Sequence, residues 1–263
     1  MQTASRIPRA SGGATAAVIS RERFDAVIFD LDGVITRTAT LHAKAWKRMF
    51  DAYLEQLGRA DGKTYREFDI EQDYLRHVDG KLRYDGVQSF LESRGIELPR
   101  GEASDPPDTN TVSGLGNRKD ALFQQLLQSE GAQVFAHSIA LVERLRSAGI
   151  RTAVVSSSRN CVPILKSVNA LQLFEVKVDG IDSDERGLAG KPAPDIFLAA
   201  AEALGVQPSR AVVFEDALSG VAAGRAGGFG LVVGVDRTGQ GEALRAHGAD
   251  VVVTDLSLIE VRG

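Results

Sequence analysis

The sequence predicts a doubly wound α/β fold, a parallel sheet with helices on both faces, interrupted by an inserted α-helical cap domain. Three observations carry that expectation. Five short apolar runs are continuous rather than alternating: Ala26–Phe29, Thr152–Val155, Ala211–Phe214, Leu231–Val233 and Val251–Val253. Continuous runs of this length suit parallel strands buried on both faces. Amphipathic patterns lie between the later runs and end at glycine, as at Gly149 and Gly205, where a helix can terminate in the left-handed conformation. Finally, roughly 100 residues separate the first run from the second, where a single crossover needs far fewer.

Taken in order, residues 1–22 are rich in Ala, Ser, Gly, Thr and Arg and read as a disordered tail. Their best apolar stretch, Ala14–Ile19, is interrupted by Thr15 and falls short of the about 7–15 apolar residues of a secretory signal. No stretch approaches the roughly 20 apolar residues of a membrane span. Residues 23–37 and 132–263 are assigned to the α/β core. Residues 38–131 are assigned to the helical insertion, with helical patterns at Leu41–Leu57, Glu67–Arg76, Val87–Arg94 and Lys119–Glu130. The segment Pro99–Thr111 is polar and proline-bearing and reads as a loop. In the second half, Ile139–Ala148 and Asp195–Leu204 are helical, and strand, helix, glycine, strand recurs as expected of βαβ units.

The bulk composition excludes some functions. The chain has 263 residues, 43% hydrophobic and 25% charged, with a net charge of −4. That lacks the basic excess expected of a nucleic-acid or membrane-surface binder. Cys161 is the single cysteine, so no intrachain disulfide forms, in keeping with a reducing compartment. It is read as a packed, unreactive thiol.

In open α/β sheets, ligands bind beyond the carboxyl ends of the strands. The first run is followed by Asp30-Leu31-Asp32-Gly33-Val34-Ile35-Thr36, the second by Ser156-Ser157-Ser158-Arg159-Asn160 and the third by Glu215-Asp216; Gly190-Lys191-Pro192 lies between the last two. Asp30 and Asp32 are two apart, so in extended chain they face the same way. With Glu215 and Asp216 they form an oxygen-rich set suited to Mg2+. One carboxylate can attack phosphorus as a nucleophile, and a second can protonate the leaving oxygen. Ser156 offers phosphate a hydroxyl and amides, and Lys191 a positive charge. Singly, each element has an ordinary structural explanation, such as a turn, a loop start or a helix cap. Together, in chain order and each at a strand end, they point to metal-dependent phosphoryl transfer through Asp30.

The stretches FDLDGVIT, VVSSSRN, GKPAPDIF and FEDALSG resemble, in order, the four motifs of the haloacid dehalogenase-like phosphotransferase superfamily. From Phe24 to the C-terminus the chain is most similar to its β-phosphoglucomutase subfamily, and HVDGKLRYDGVQSFL resembles that subfamily's actinobacterial members. The resemblance implies that Asp30 is nucleophile and metal ligand. It implies that Asp32 is the general acid/base and ligates the metal through its carbonyl, with Glu215 and Asp216 completing the metal set. Ser156 and Lys191 would hold the transferring phosphate, and Ser158 and Asn160 would contact the sugar phosphate. Thr38 and His42 would link cap closure to Asp32. Trp46 is read as packing within the cap.

In the cap the chain departs from the family pattern of a Lys-Gly pair followed by Arg. With one residue inserted, Gly114 and Arg118 match the family Gly and Arg, and Ser113 stands where the family has Lys. Lys81, Arg83 or Lys119 could supply the missing charge. Position 37 is Arg where the subfamily usually has Asp. The expected function is interconversion of β-glucose 1-phosphate and glucose 6-phosphate, with Mg2+ as cofactor and glucose 1,6-bisphosphate as activator and intermediate. The alternatives are a phosphatase of the same fold and a non-catalytic sugar-phosphate binding module. A cytoplasmic monomer is expected, with a small-molecule sugar phosphate as partner.

Overall fold

A computed structural model describes residues 17–263. The chain runs through β1 (Ala17–Ser20) and β2 (Ala26–Asp30) into the insertion, which contains α1 (Ala39–Asp61), α2 (Arg83–Ser93) and α3 (Val112–Glu130). It returns through α4 (Ala136–Ser147), β3 (Arg151–Val155), α5 (Cys161–Ser167), β4 (Val176–Val178), α6 (Gly180–Arg186) and α7 (Asp195–Leu204). It ends with β5 (Ala211–Glu215), α8 (Leu218–Ala226), β6 (Leu231–Val235), α9 (Gly241–Ala246), β7 (Val251–Val253) and β8 (Ile259–Arg262).

Six strands form a parallel sheet in the order β4-β3-β2-β5-β6-β7. Successive residues of each strand serve opposite faces. Val27, Phe29, Val154 and Phe214 pack with α4 and α5, while Ile28, Val155 and Val213 pack with α7 and α8. Burial on both faces is the reason these runs are apolar throughout. The strand order reverses at β2, between β3 and β5, and such a switch point leaves a crevice at the strands' carboxyl ends. The register aligns Asp30 with Val155 and Phe29 with Phe214, so Asp30 and Glu215 leave adjacent strands side by side.

Three elements differ from expectation. β1 occupies part of the stretch read as a disordered tail and pairs in parallel with β8; its Ile19 is fully buried, which offsets the entropy of ordering it. Residues 1–16 of that expected tail lie outside the described residues. The expected helix at Glu67–Arg76 is irregular or turn through residue 72 and then a single π-helical turn at Tyr74–Val78. There Asp69 Oδ1 accepts from the amides of Glu71 and Gln72, and Asp73 accepts from Arg66, Arg94 and the Asp69 amide; such side-chain bonds compete with a helix for the backbone. α3 starts seven positions before Lys119, at a cap where Thr111 Oγ1 accepts from the Gly114 amide.

The insertion carries its own aromatic core, with Phe50 stacked on Trp46 and Phe68 and tilted 4.0 Å from Phe90. The two chain segments that join it to the sheet pair at Thr36↔Val134. Arg37 N donates to Gln133 O at 2.8 Å, and Phe135 N to Ile35 O at 2.9 Å.

Candidate active site

At the sheet's carboxyl edge, Asp30, Glu215 and Asp216 bring carboxylate oxygens within 4.8 Å of one another. Lys191 Nζ bridges two of them, at 2.5 Å from Asp30 Oδ1 and 3.0 Å from Glu215 Oε2. Burial pushes Asp30 well up, and the neighbouring Glu215 charge adds to this against the pull of Lys191. Burial also raises Asp216, helped by Asp79 and Glu215. Burial would lower Lys191, but Asp30 and Glu215 more than offset it and the net shift is upward. A buried group of carboxylates pressing on one another is relieved by a hard cation, and the all-oxygen donor set fits Mg2+. Gly33 adopts φ +89°, and a Cβ there would collide with the Asp216 carboxylate, so glycine at this turn is required twice over.

Asp32 sits apart from this cluster. Its carboxylate accepts from Thr38 Oγ1 and, at 3.0 Å, from Ser156 Oγ. His42 Nε2 faces it at 3.4 Å, too long and poorly aligned to count as a hydrogen bond. Burial opposes the Asp32 charge, but His42, Thr38 and Ser156 more than compensate and hold it at about 2. His42 stacks on Phe123 at 3.9 Å, and its Nδ1 lies 2.6 Å from Lys119 Nζ. Burial and then the Lys119 charge push His42 down. Lys119 in turn is lowered to about 7, by burial and then by Arg83.

Asp30, Asp32, His42, Ser158, Glu215 and Asp216 line a single cleft. Its opposite wall comes from the insertion and includes Trp46, Lys81, Arg83, Lys119 and Asp120. Thr38, Ser156 and Lys191 join the cleft through their bonds to Asp32 and Asp30. The Asn160 side chain is committed to the insertion, donating to Asp120 Oδ1 at 2.9 Å and accepting from Gln124 Nε2 at 2.5 Å.

Gly114 and Arg118 are not among the cleft-lining residues. Arg118 Nε donates to the Pro107 carbonyl at 2.6 Å, and Gly114 packs against the carbonyls of Thr109 and Pro106. One helical position separates Arg118 from Lys119, and only Lys119 is on the buried inner stripe of α3 with Leu115, Phe123 and Leu126. The cations that face the cleft from the insertion are therefore Lys81, Arg83 and Lys119. Reading the sequence also missed Tyr74 and Asp79, which line both this cleft and a neighbouring cavity of about 830 Å³ that runs past Arg37, Phe135 and Arg237. The signal available for Asp79 was the Asp-Gly pair at 79–80, a turn marker inside a segment otherwise read for its helices. Trp46, expected to serve packing alone, both stacks on Phe50 and reaches the cleft. Cys161 is buried, which pushes its thiol well up.

The model of the haloacid dehalogenase-like hydrolase family matches residues 24–228. The chain is 54% identical over 239 residues to a β-phosphoglucomutase of Mycobacterium bovis, covering 90% of this chain and 91% of that one. It is 33% identical over 233 residues to the β-phosphoglucomutase of Bacillus subtilis, covering 88% and 90%. The crystal structure of β-phosphoglucomutase from Clostridium difficile shares the fold, with a TM-score of 0.69 at 24% identity over 89% of this chain and 92% of that one. With its motifs at the strand ends and a helical cap above them, the chain belongs to the haloacid dehalogenase-like family, as a phosphotransferase of the β-phosphoglucomutase type.

Proposed function

We propose that the chain is a mutase that interconverts β-D-glucose 1-phosphate and glucose 6-phosphate through an aspartyl-phosphate and a glucose 1,6-bisphosphate intermediate. The observation that carries this reading is a cleft with two ends suited to phosphate. At the core end are Asp30, Ser156 and Lys191; at the cap end are Lys81, Arg83 and Lys119. A hydrolase needs only the first end, whereas a mutase must hold one phosphate while transferring the other.

In the proposed first half-reaction, an Asp30 carboxylate oxygen attacks phosphorus and the phosphorus–oxygen bond to the sugar breaks. The charge of the incoming phosphate raises the Asp32 carboxyl from about 2 so that it carries a proton, and the leaving oxygen takes that proton. In the second half, a different sugar hydroxyl gives its proton to Asp32 as its oxygen attacks the aspartyl-phosphate, and the Asp30 carboxylate is freed. Thr38, Ser156 and His42 hold the Asp32 carboxylate toward the cleft. Lys191 and Ser156 receive the charge that spreads over the transferring phosphoryl oxygens. The side chains of Asp30, Glu215 and Asp216 and the Asp32 carbonyl would hold Mg2+, which when bound neutralises charge on the phosphoryl group. Ser158 faces the sugar phosphate. Arg83, whose guanidinium pairs with Asp120 at 2.9 Å, takes the distal phosphate, with Lys81 and Lys119 nearby. Asn160 acts in closing the cap through Asp120 and Gln124. We place the enzyme in the cytoplasm as a monomer acting on a small-molecule sugar phosphate.

The test is one assay with two readouts. β-glucose 1-phosphate, Mg2+ and catalytic glucose 1,6-bisphosphate are supplied, and glucose 6-phosphate and free phosphate are measured together. Isomer in large excess over phosphate is expected. Free phosphate equal to the substrate consumed, without isomer, would establish the phosphatase instead. Arg83→Ala should lower bisphosphate-dependent turnover at least about tenfold, as for loss of a charged hydrogen-bond partner, while hydrolysis of a simple aryl phosphate changes little. Equal loss on both substrates would reject Arg83 as the distal phosphate ligand.

A further inference from the structure

We propose that Ser157 and Ser219 are positioning residues that latch the cap shut, and so set how the phosphoryl group on Asp30 divides between sugar and water. This rests on the mutase reading above. The cleft encloses about 60 Å³, against roughly 300 Å³ for a small ligand pocket. A sugar phosphate therefore enters only when the cap swings away from the core. Closure must be favourable enough to exclude water, yet weak enough to reverse every turnover.

The latch is built on two consecutive carbonyls of the cap turn after the π-helical segment. Ser219 Oγ, at the start of α8, donates to the Asp79 carbonyl at 2.9 Å. Ser157 Oγ, in the loop after β3, donates to the Gly80 carbonyl at 2.6 Å. The two serines thus come from the segments that follow β3 and β5, the strands on either side of β2, and they grip adjacent peptide groups of one turn. Contact there is close. Gly80 has φ +70°, and a Cβ on it would collide with Ser219 Oγ and meet the Ala217 Cβ at 3.1 Å. Two residues further on, the Leu82 side chain lies 3.0 Å from where a Cβ on Gly190 would stand, beside Lys191.

Neither serine is charged, and neither bonds the groups assigned to chemistry. When the cap opens, water can satisfy both carbonyls and both hydroxyls, so each bond has the modest net strength of an ordinary neutral hydrogen bond. Two such bonds bias a two-state closure without locking it. Ser157, Asp79 and Gly80 line the cleft beside Arg83, Lys119 and Asp120, but both serine hydroxyls already donate to backbone carbonyls, so the two bonds form without substrate. The latch therefore acts in the interval between release of one sugar phosphate and arrival of the next, when Asp30 carries the phosphoryl group and no substrate bridges cap and core. Should the cap open then, water can attack phosphorus, the phosphorus–oxygen bond to Asp30 breaks, and inorganic phosphate and the free carboxylate result.

The experiment compares the full chain with Ser157→Ala, Ser219→Ala, the double variant and Gly80→Ala, which leaves both hydroxyls but wedges the turn. Two quantities are read: the ratio of free phosphate to glucose 6-phosphate in the two-readout assay, and amide hydrogen exchange over residues 79–82. In the double variant the ratio should rise about tenfold, the effect of losing two weak bonds, with faster exchange at 79–82 and no change at β2. Gly80→Ala should move both quantities the same way, and Ser219→Thr, which keeps a hydroxyl, should restore the single variant toward the parent. An unchanged ratio overturns the latch whether or not exchange quickens. A raised ratio with unchanged exchange also overturns it, because the serines would then act on the chemistry rather than on closure. If the parent chain forms no isomer, the mutase reading fails, and unchanged exchange in the double variant separately overturns the latch.

Discussion

Lys119 is a costly residue to keep. It is 5% exposed, with its ammonium 4.9 Å from the Trp46 ring and 5.2 Å from the Phe123 ring. Burial lowers its pKa to about 7 from 10.5, so between those values the unfolded chain binds the proton more tightly. Its penalty to stability is full below pH 7 and fades as pH rises toward 10.5. Lys119→Met should therefore stabilise the fold by about 1–3 kcal/mol near pH 6 and raise Tm by a few degrees, with the gain shrinking by pH 10. The same change should depress mutase turnover, because it removes the partner of His42 and a cation from the distal end of the cleft. Thermal melts across pH, beside the turnover assay, check both; a loss of stability at pH 6 would contradict the account. The core residues of this site were legible in the sequence, since Asp30, Asp32, Ser156, Glu215 and Asp216 each end or follow a strand that apolar runs mark out, and Lys191, in the loop between α6 and α7, stands in the Gly-Lys-Pro motif. Lys119 was not singled out over Lys81, Arg83 or Arg118, because one helical position decides whether a side chain faces the cleft or solvent.

Among the elements, the insertion is held by aromatic stacking. Phe90 is fully buried and contacts Phe50 and Phe68 at centroid distances of 4.0 and 5.2 Å. Phe90→Ala should cost about 3–5 kcal/mol through lost burial and a cavity, read as a lower urea midpoint. Hydrogen exchange should quicken across residues 39–130 before it does so in the sheet; uniform loss of protection throughout would mean that the two parts do not unfold separately. Helices with strong periodicity and clear ends were readable, and Asp195–Leu204 matches α7 residue for residue. β4 was missed because it is three residues long with Lys177 at its centre. The Glu67–Arg76 expectation failed because Asp69 and Asp73 use their side chains to bond local backbone, a competition that periodicity does not register.

Across the molecule, one sheet edge presents Asp30, the proposed nucleophile, and the insertion supplies the opposite wall of its cleft. The paired crossings at Thr36 and Val134 join the insertion to the sheet, and the contacts from Ser157, Ser219 and Asn160 seat it on the core. The parallel, doubly wound sheet follows from sequence pattern, but the seat does not, since it joins residues up to 140 positions apart whose types are ordinary for loops. The account stands on Asp30 carrying the phosphoryl group. The direct measurement is rapid quenching of the enzyme with Mg2+ and glucose 1,6-bisphosphate, followed by borohydride reduction and peptide mass analysis. An aspartyl-phosphate at position 30 is reduced to homoserine there, and Asp30→Asn should show neither the product nor more than about a thousandth of the parent's turnover. Homoserine at another aspartate, or full turnover without any phosphoenzyme, would contradict it.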